Sequence, residues 1–134
     1  MILLILTSVA ISNWRFTALR EREWELRGDL REMRNAIDKY KDYAGKNLIQ
    51  TAVGTNGYPP SLDALVKGVE IAPAGTNVRF LRRIPIDPIT RKRDWVLRGL
   101  QDDEDSGQWS GNDVFDVHSS SDAKALDGST YSTW

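Results

Sequence analysis

Two carboxylates near the C-terminal end of the 134-residue chain, Asp122 and Asp127, stand in surroundings suited to metal chemistry. Serine and threonine oxygens flank them, and Gly128 leaves the backbone free to bend sharply. Hard oxygen donors are what calcium binds, with roughly six to eight ligands at about 2.3 to 2.6 Å. The spacing is not that of a helix-loop-helix calcium loop, and an Asp-Gly pair in a serine-rich tail also makes an ordinary turn or a flexible end. Leu126, Tyr131 and Trp134 argue for an ordered loop, because each gains from burial and a metal would hold the loop that delivers them.

Other chemistries have little to work with. The chain has no cysteine, which excludes disulfides, thiolate catalysis and cysteine-based zinc sites. Its one histidine, His118, closes the alternating segment Asp116-Val117-His118 and reads as an ordinary strand-end residue. There is no glycine-rich phosphate loop and no carboxylate pair whose apolar neighbours would tune the two groups apart. An enzyme is therefore not expected. Lys and Arg (18) nearly balance Asp and Glu (19) for a formal charge of −1, which points away from nucleic acid as a partner. The distribution is more telling than the sum. Arg79, Arg82, Arg83, Arg91, Lys92, Arg93 and Arg98 precede the acidic block Asp102, Asp103, Glu104 and Asp105, a pattern that suits a solvated surface or complementary contacts between subunits.

The element that must organise these residues is N-terminal. An apolar run from Met1 to Ile11 passes into a charged amphipathic segment, Arg15 to Tyr43, interrupted only by Gly28. Leu19, Leu26, Leu30, Met33, Ile37 and Tyr40 recur at the spacing of one helical face. The spacing predicts one long helix: apolar all round over 1–14, in a membrane or a bundle of like helices, and striped over 15–43 where it packs on a domain of residues 44–134. A bilayer core about 30 Å thick needs roughly 20 apolar residues, so this run does not span one by itself. The expectation is that the sequence starts inside a longer hydrophobic segment.

The rest of the chain reads as a small head. The helix is expected to fade at Tyr43-Ala44-Gly45-Lys46, with glycine as its left-handed cap. Thr55-Asn56-Gly57 is turn chemistry, Tyr58-Pro59-Pro60 forces an extended approach, and Ser61 caps a short helix that ends at Lys67-Gly68. The two prolines of Ile84-Pro85-Ile86-Asp87-Pro88 make a rigid connector. Asp94–Arg98 and Asp113–Val117 read as an antiparallel strand pair joined by a long polar loop.

In that order, Met33-Arg34-Asn35-Ala36-Ile37-Asp38-Lys39-Tyr40, Tyr58-Pro59-Pro60-Ser61-Leu62, Phe80-Leu81-Arg82-Arg83-Ile84-Pro85-Ile86-Asp87-Pro88, Asp113-Val114-Phe115-Asp116-Val117-His118-Ser119 and a closing Asp-containing loop up to Trp134 carry a resemblance. Over nearly its whole length the chain resembles the major, G-type pseudopilin of bacterial type II secretion systems, a member of the type IV pilin superfamily. The resemblance implies an α+β fold: a long N-terminal helix packed on a small antiparallel sheet, with a C-terminal calcium loop. It implies Asp122 and Asp127 as side-chain ligands of calcium, with Ser119 and Ser129 supplying further oxygens.

It also implies a structural role. Subunits of this family are single-pass proteins of the bacterial inner membrane with the head in the periplasm. They assemble as a helical filament with minor pseudopilins on an inner-membrane assembly platform, and so help export folded proteins. The family's prepilin signature is absent from this sequence, and Met1 aligns well inside the apolar helix. Three other readings stand beside this one: a type IV pilus subunit for adhesion or motility, a membrane-anchored periplasmic binding module, and an enzyme.

Overall fold

The computed structural model describes the backbone of residues 2–134 and the side chains of residues 13–134. A single helix, α1 (Ile2–Gly45), runs through the first third of the chain. The apolar part expected over residues 1–14 lies outside the described side chains, apart from Asn13 and Trp14. From Leu26 onward the stripe is buried: Leu26, Leu30, Met33, Ile37 and Tyr40 are each at most 3% exposed. Burying such a side chain contributes about 1.5 to 3 kcal/mol, so this face holds helix and head together. Leu19, at the edge of the head, is only half-buried.

The helix ends two residues later than the glycine reading placed it. Gly45 is still helical, and the left-handed residue is Asn47, at φ 56°. The Leu48 and Asn47 N–H groups donate to the Tyr43 and Ala44 carbonyls at 3.0 and 3.1 Å. These bonds close the last turn in the Schellman pattern, and asparagine tolerates the left-handed conformation they require.

The short helix α2 (Leu62–Lys67) begins where Ser61 predicts, with the Ala64 N–H donating to Ser61 Oγ at 3.3 Å. Gly68, at φ 86°, ends it, and a Cβ there would meet the Asn77 side chain at 2.6 Å. Leu65 is fully buried, and its carbonyl accepts from the Phe80 and Leu81 N–H groups at 3.0 and 3.1 Å. Phe80 then stands edge-on to both Tyr40 and Tyr43, with ring centroids 5.4 and 5.2 Å away.

The strands form two separate two-stranded antiparallel sheets rather than one small sheet. Strands β1 (Val69–Ile71) and β2 (Thr76–Val78) make a hairpin absent from the sequence-based expectation. Strands β3 (Val96–Arg98) and β4 (Asp116–His118) are the expected pair, with Leu97 opposite Val117. The second strand starts at Asp116 instead of Asp113. Asp113 serves the preceding loop, its carboxylate accepting from the Leu100 N–H at 3.1 Å and its carbonyl from Trp109 Nε1 at 2.7 Å. Val117 on β4 is fully buried against α1.

The proline connector is held by side chains. Trp95 Nε1 donates to the Pro85 carbonyl at 2.8 Å. The buried Asp87 carboxylate accepts from the Ile89 N–H at 2.8 Å and from Ser119 Oγ at 2.6 Å. That last bond ties the connector to the end of β4, where the closing loop departs.

Candidate functional site

The closing loop, residues 119–134, folds back on itself. An isolated antiparallel bridge joins Lys124 to Thr130, and the Ala125 N–H donates to the Ser129 carbonyl at 2.7 Å. Gly128, at φ 86°, turns the chain between them, with its N–H donating to the Ala125 carbonyl at 3.0 Å. A one-turn 3-10 helix (Tyr131–Thr133) follows. Tyr131 is buried and stacks edge-on against Trp134 at 5.1 Å, so both expected aromatic anchors are in place. Leu126 is not the third anchor: it is 39% exposed, while Ala125 is buried. The bend at Gly128 turns Leu126 outward at the tip.

Two side chains of α1 hold this loop. Glu23 is buried at the helix surface, and one oxygen of its carboxylate accepts from the Tyr131 hydroxyl at 2.7 Å and from the Leu126 N–H at 2.8 Å. Burial, followed by that bond to Glu23, holds the Tyr131 phenol well above its ordinary range. Arg34 donates to Asp116 Oδ1 at 2.8 Å, to the Val117 carbonyl at 3.0 Å and to the Trp134 carbonyl at 2.7 Å. One planar guanidinium thus joins helix, strand and loop. Arg27 lies over the Trp134 ring at 3.9 Å.

The four residues expected to bind calcium take different positions. Asp122 faces an open cleft of about 610 Å³, whose lining includes Glu104, Asp105, Asp116, His118 and Ser120. Its carboxylate accepts from Ser132 Oγ at 2.9 Å. Asp127 sits at the loop tip, where Oδ1 accepts from both the N–H and the hydroxyl of Ser129, at 2.9 and 2.5 Å. Those bonds from Ser129 hold the Asp127 carboxyl below the ordinary carboxylate range, with the charge of Arg27, 4.0 Å away, acting in the same direction. Ser129 Oγ also accepts from Trp134 Nε1 at 2.7 Å. Ser119 is fully buried and its hydroxyl donates to Asp87, so the oxygen it could offer a metal is its carbonyl, which lies 3.2 Å from His118 Nδ1.

The donors are carboxylate, hydroxyl and carbonyl oxygens throughout, which is the chemistry of a hard cation. Among the described residues, no group of three or more Asp, Glu, His or Cys side chains is gathered tightly enough to hold a metal ion. Asp122 is exposed at the cleft, whereas Asp127 is engaged by Ser129 at the loop tip.

The basic block divides, and Arg98 lines the same cleft as Glu104 and Asp105 of the acidic block. Arg98 turns inward, with Nη2 3.6 Å from Asp116 Oδ2 and its guanidinium over the Phe115 ring at 5.3 Å. Asp102 organises its own loop, accepting from the Gly99 and Ser110 N–H groups at 2.8 and 3.2 Å. Arg82 and Arg83 are exposed. With Arg93 they form one wall of a cleft of about 350 Å³ whose other wall is Glu25, Asp29 and Glu32 of α1. Partial burial, reinforced by Glu25 and Glu32, raises the Asp29 carboxyl to about 6.

Sequence reasoning missed Glu23 and Arg34. Glu23 had a signal: it occupies the stripe position between Leu19 and Leu26, where a buried residue was due. Arg34 had none, since its partners lie 82 to 100 residues away.

The fold is α+β, a long helix packed on small antiparallel sheets, a layout compatible with that of pilin-like proteins. No family model, curated protein or solved structure matches the chain. Among the described residues, no helix is long and apolar enough to cross a membrane.

Proposed function

We propose that this chain is a structural pseudopilin. In this reading it is held in the bacterial inner membrane with its head in the periplasm, and assembles as a helical filament of like subunits that serves a type II secretion system. The observation that carries the reading is the divided use of α1. Beyond Leu26 its apolar stripe is consumed by its own head, whereas residues 13–17 are all exposed and follow an apolar run in sequence. A helix that leaves its domain with apolar side chains uncovered needs a second surface. Lipid before assembly and neighbouring helices after it meet that need with little net change in apolar burial.

The head then forms the filament surface. Arg82 and Arg83 on one side and the acidic loop 102–105 on another are available for contacts between subunits, with minor pseudopilins and the assembly platform as further partners. In the closing loop, Asp122 with Ser132, the Ser119 carbonyl, and Asp127 with Ser129 are the residues that would hold calcium, which when bound supplies positive charge and a cross-link between the limbs of the loop. No catalytic step is assigned to the chain, and nucleic acid is not among its partners.

Electron microscopy of cells overproducing the chain, with and without its secretion machinery, tests the reading alongside an export assay. Periplasmic filaments, together with export lost on deletion of the chain, support it. Surface fibres with adhesion or twitching and undisturbed export replace it with a type IV pilus subunit. A stable monomer with no filaments removes both.

A further inference from the structure

We propose that Trp14 and Phe16 form an aromatic belt that seats α1 at the headgroup level of a bilayer, so that the partner of this stretch is a lipid surface. The direction in which the helix enters rests on the membrane-anchored reading above. Trp14 is 72% exposed and Phe16 53% exposed, and neither is among the residues packed on the core. Successive helical residues turn by about 100°, so the two rings point about 200° apart while differing in height by only about 3 Å. A single neighbouring helix covers one side of α1 and would leave one of these rings in water, whereas the lipid interface around the subunit before assembly surrounds the helix and accepts both.

The heights agree with this. The headgroup region adds about 5 to 8 Å on each side of the hydrocarbon. At about 1.5 Å per residue, Trp14 lies about 4.5 Å beyond Ile11, the last apolar residue of the leading run, and Phe16 about 7.5 Å beyond it. Amphipathic aromatic rings concentrate at this depth. Arg15 lies between them and Arg20 just above, placed to extend their stems to anionic headgroups. Trp24 is equally exposed, at 73%, but stands about 15 Å above Trp14, outside the interface. It is an internal control. The belt requires only that the helix cross one interface, not that the leading run span the hydrocarbon.

Because the chain has no cysteine, Trp14→Cys, Phe16→Cys and Trp24→Cys each carry a single thiol for a spin label. The labelled full-length chains are reconstituted in vesicles of phosphatidylethanolamine and phosphatidylglycerol and collected by flotation. Depth is read from relative accessibility to oxygen and to a water-soluble relaxant. The expected result is labels 14 and 16 at headgroup level within about 3 Å of each other, and label 24 in water. The double variant Trp14→Ser, Phe16→Ser, read with a label at Thr17→Cys, should shift away from that depth. A wet label at 14 with a dry one at 16, or the reverse, overturns the belt in favour of one-sided packing. A label 24 as deep as label 14 overturns it in favour of a helix lying along the surface. Failure to float with vesicles removes the belt and the membrane reading together, whereas flotation with the wrong depths removes the belt alone.

Discussion

One oxygen of Glu23, on the first turn of α1 to meet the closing loop, accepts hydrogen bonds from the Tyr131 hydroxyl at 2.7 Å and the Leu126 N–H at 2.8 Å. The two side chains stand 108 residues apart in sequence. A carboxylate on an otherwise apolar stripe is tolerated because the loop brings it two donors. Tyr131→Phe should therefore destabilise the head by about 1 to 3 kcal/mol, since it strips a buried carboxylate of a partner. Glu23→Ala should do the same or more, and the double variant should lose much less than the sum. Denaturant unfolding of the four proteins measures the coupling, and strict additivity would deny that the bond matters.

Arg34 should prove hard to replace. Its guanidinium reaches Asp116, the Val117 carbonyl and the Trp134 carbonyl at once. Lysine cannot reproduce that fork, so Arg34→Lys should recover little of the roughly 1 to 3 kcal/mol lost in Arg34→Ala. Thermal melting of both variants checks this, and a lysine variant as stable as the parent would show the contact with Asp116 to be sufficient.

Calcium response is the direct test of the loop. At a hundred times its dissociation constant, calcium should stabilise the native state by about 2.7 kcal/mol, a rise of several degrees in melting temperature. Asp122→Ala and Asp127→Ala should each abolish that rise while changing the melting temperature in chelator only slightly, because both carboxylates are exposed. An unchanged melting temperature with calcium would leave the loop as a turn held by Ser129 and Ser132.

Arg82→Glu with Arg83→Glu should leave the head folded, at some cost in stability because the reversed charges face Glu25, Asp29 and Glu32 across the cleft, and impair assembly. Circular dichroism reads the first outcome and filament counts the second. Normal filaments from the charge-reversed chain would make this cleft wall a plain solvated surface.

The Asp29 carboxyl gives stability a pH dependence of defined sign. Its folded value, about 6, is raised above the unfolded 3.8, so between these the native state holds a proton that the unfolded state has lost. Stability should fall as pH rises through this window, by roughly 1 kcal/mol once solvent screening is allowed for. Asp29→Asn should remove this component and be the more stable protein at pH 7. Unfolding titrations of the two proteins from pH 4 to 7 supply the comparison, and parallel curves would refute it.

Much of the fold was legible in the residues. The buried stripe of α1 was read from its period, α2 from Ser61 and Gly68, and the β3–β4 pair from its alternation. The β1–β2 hairpin was not legible: all four strands are three residues long, but only the second pair lies in or beside longer apolar stretches, Trp95-Val96-Leu97 and Val114-Phe115, that mark it in the sequence. The end of α1 was misplaced because glycine and asparagine both accept the left-handed conformation, and only the bonds from Asn47 and Leu48 choose between them.

By itself, the sequence determined which faces are apolar, where turns are permitted, and that hard oxygen donors gather near the C-terminal end, because these are local properties of neighbouring side chains. Tertiary structure alone decided that Glu23 and Arg34 are the clamps on the closing loop, that Leu126 points outward, that Arg98 leaves the basic cluster, and that Asp122 opens to a cleft while Asp127 is held by Ser129. Several of these outcomes depend on donors and acceptors brought within 3 Å across some hundred residues of chain, and no local pattern encodes a distance of that kind.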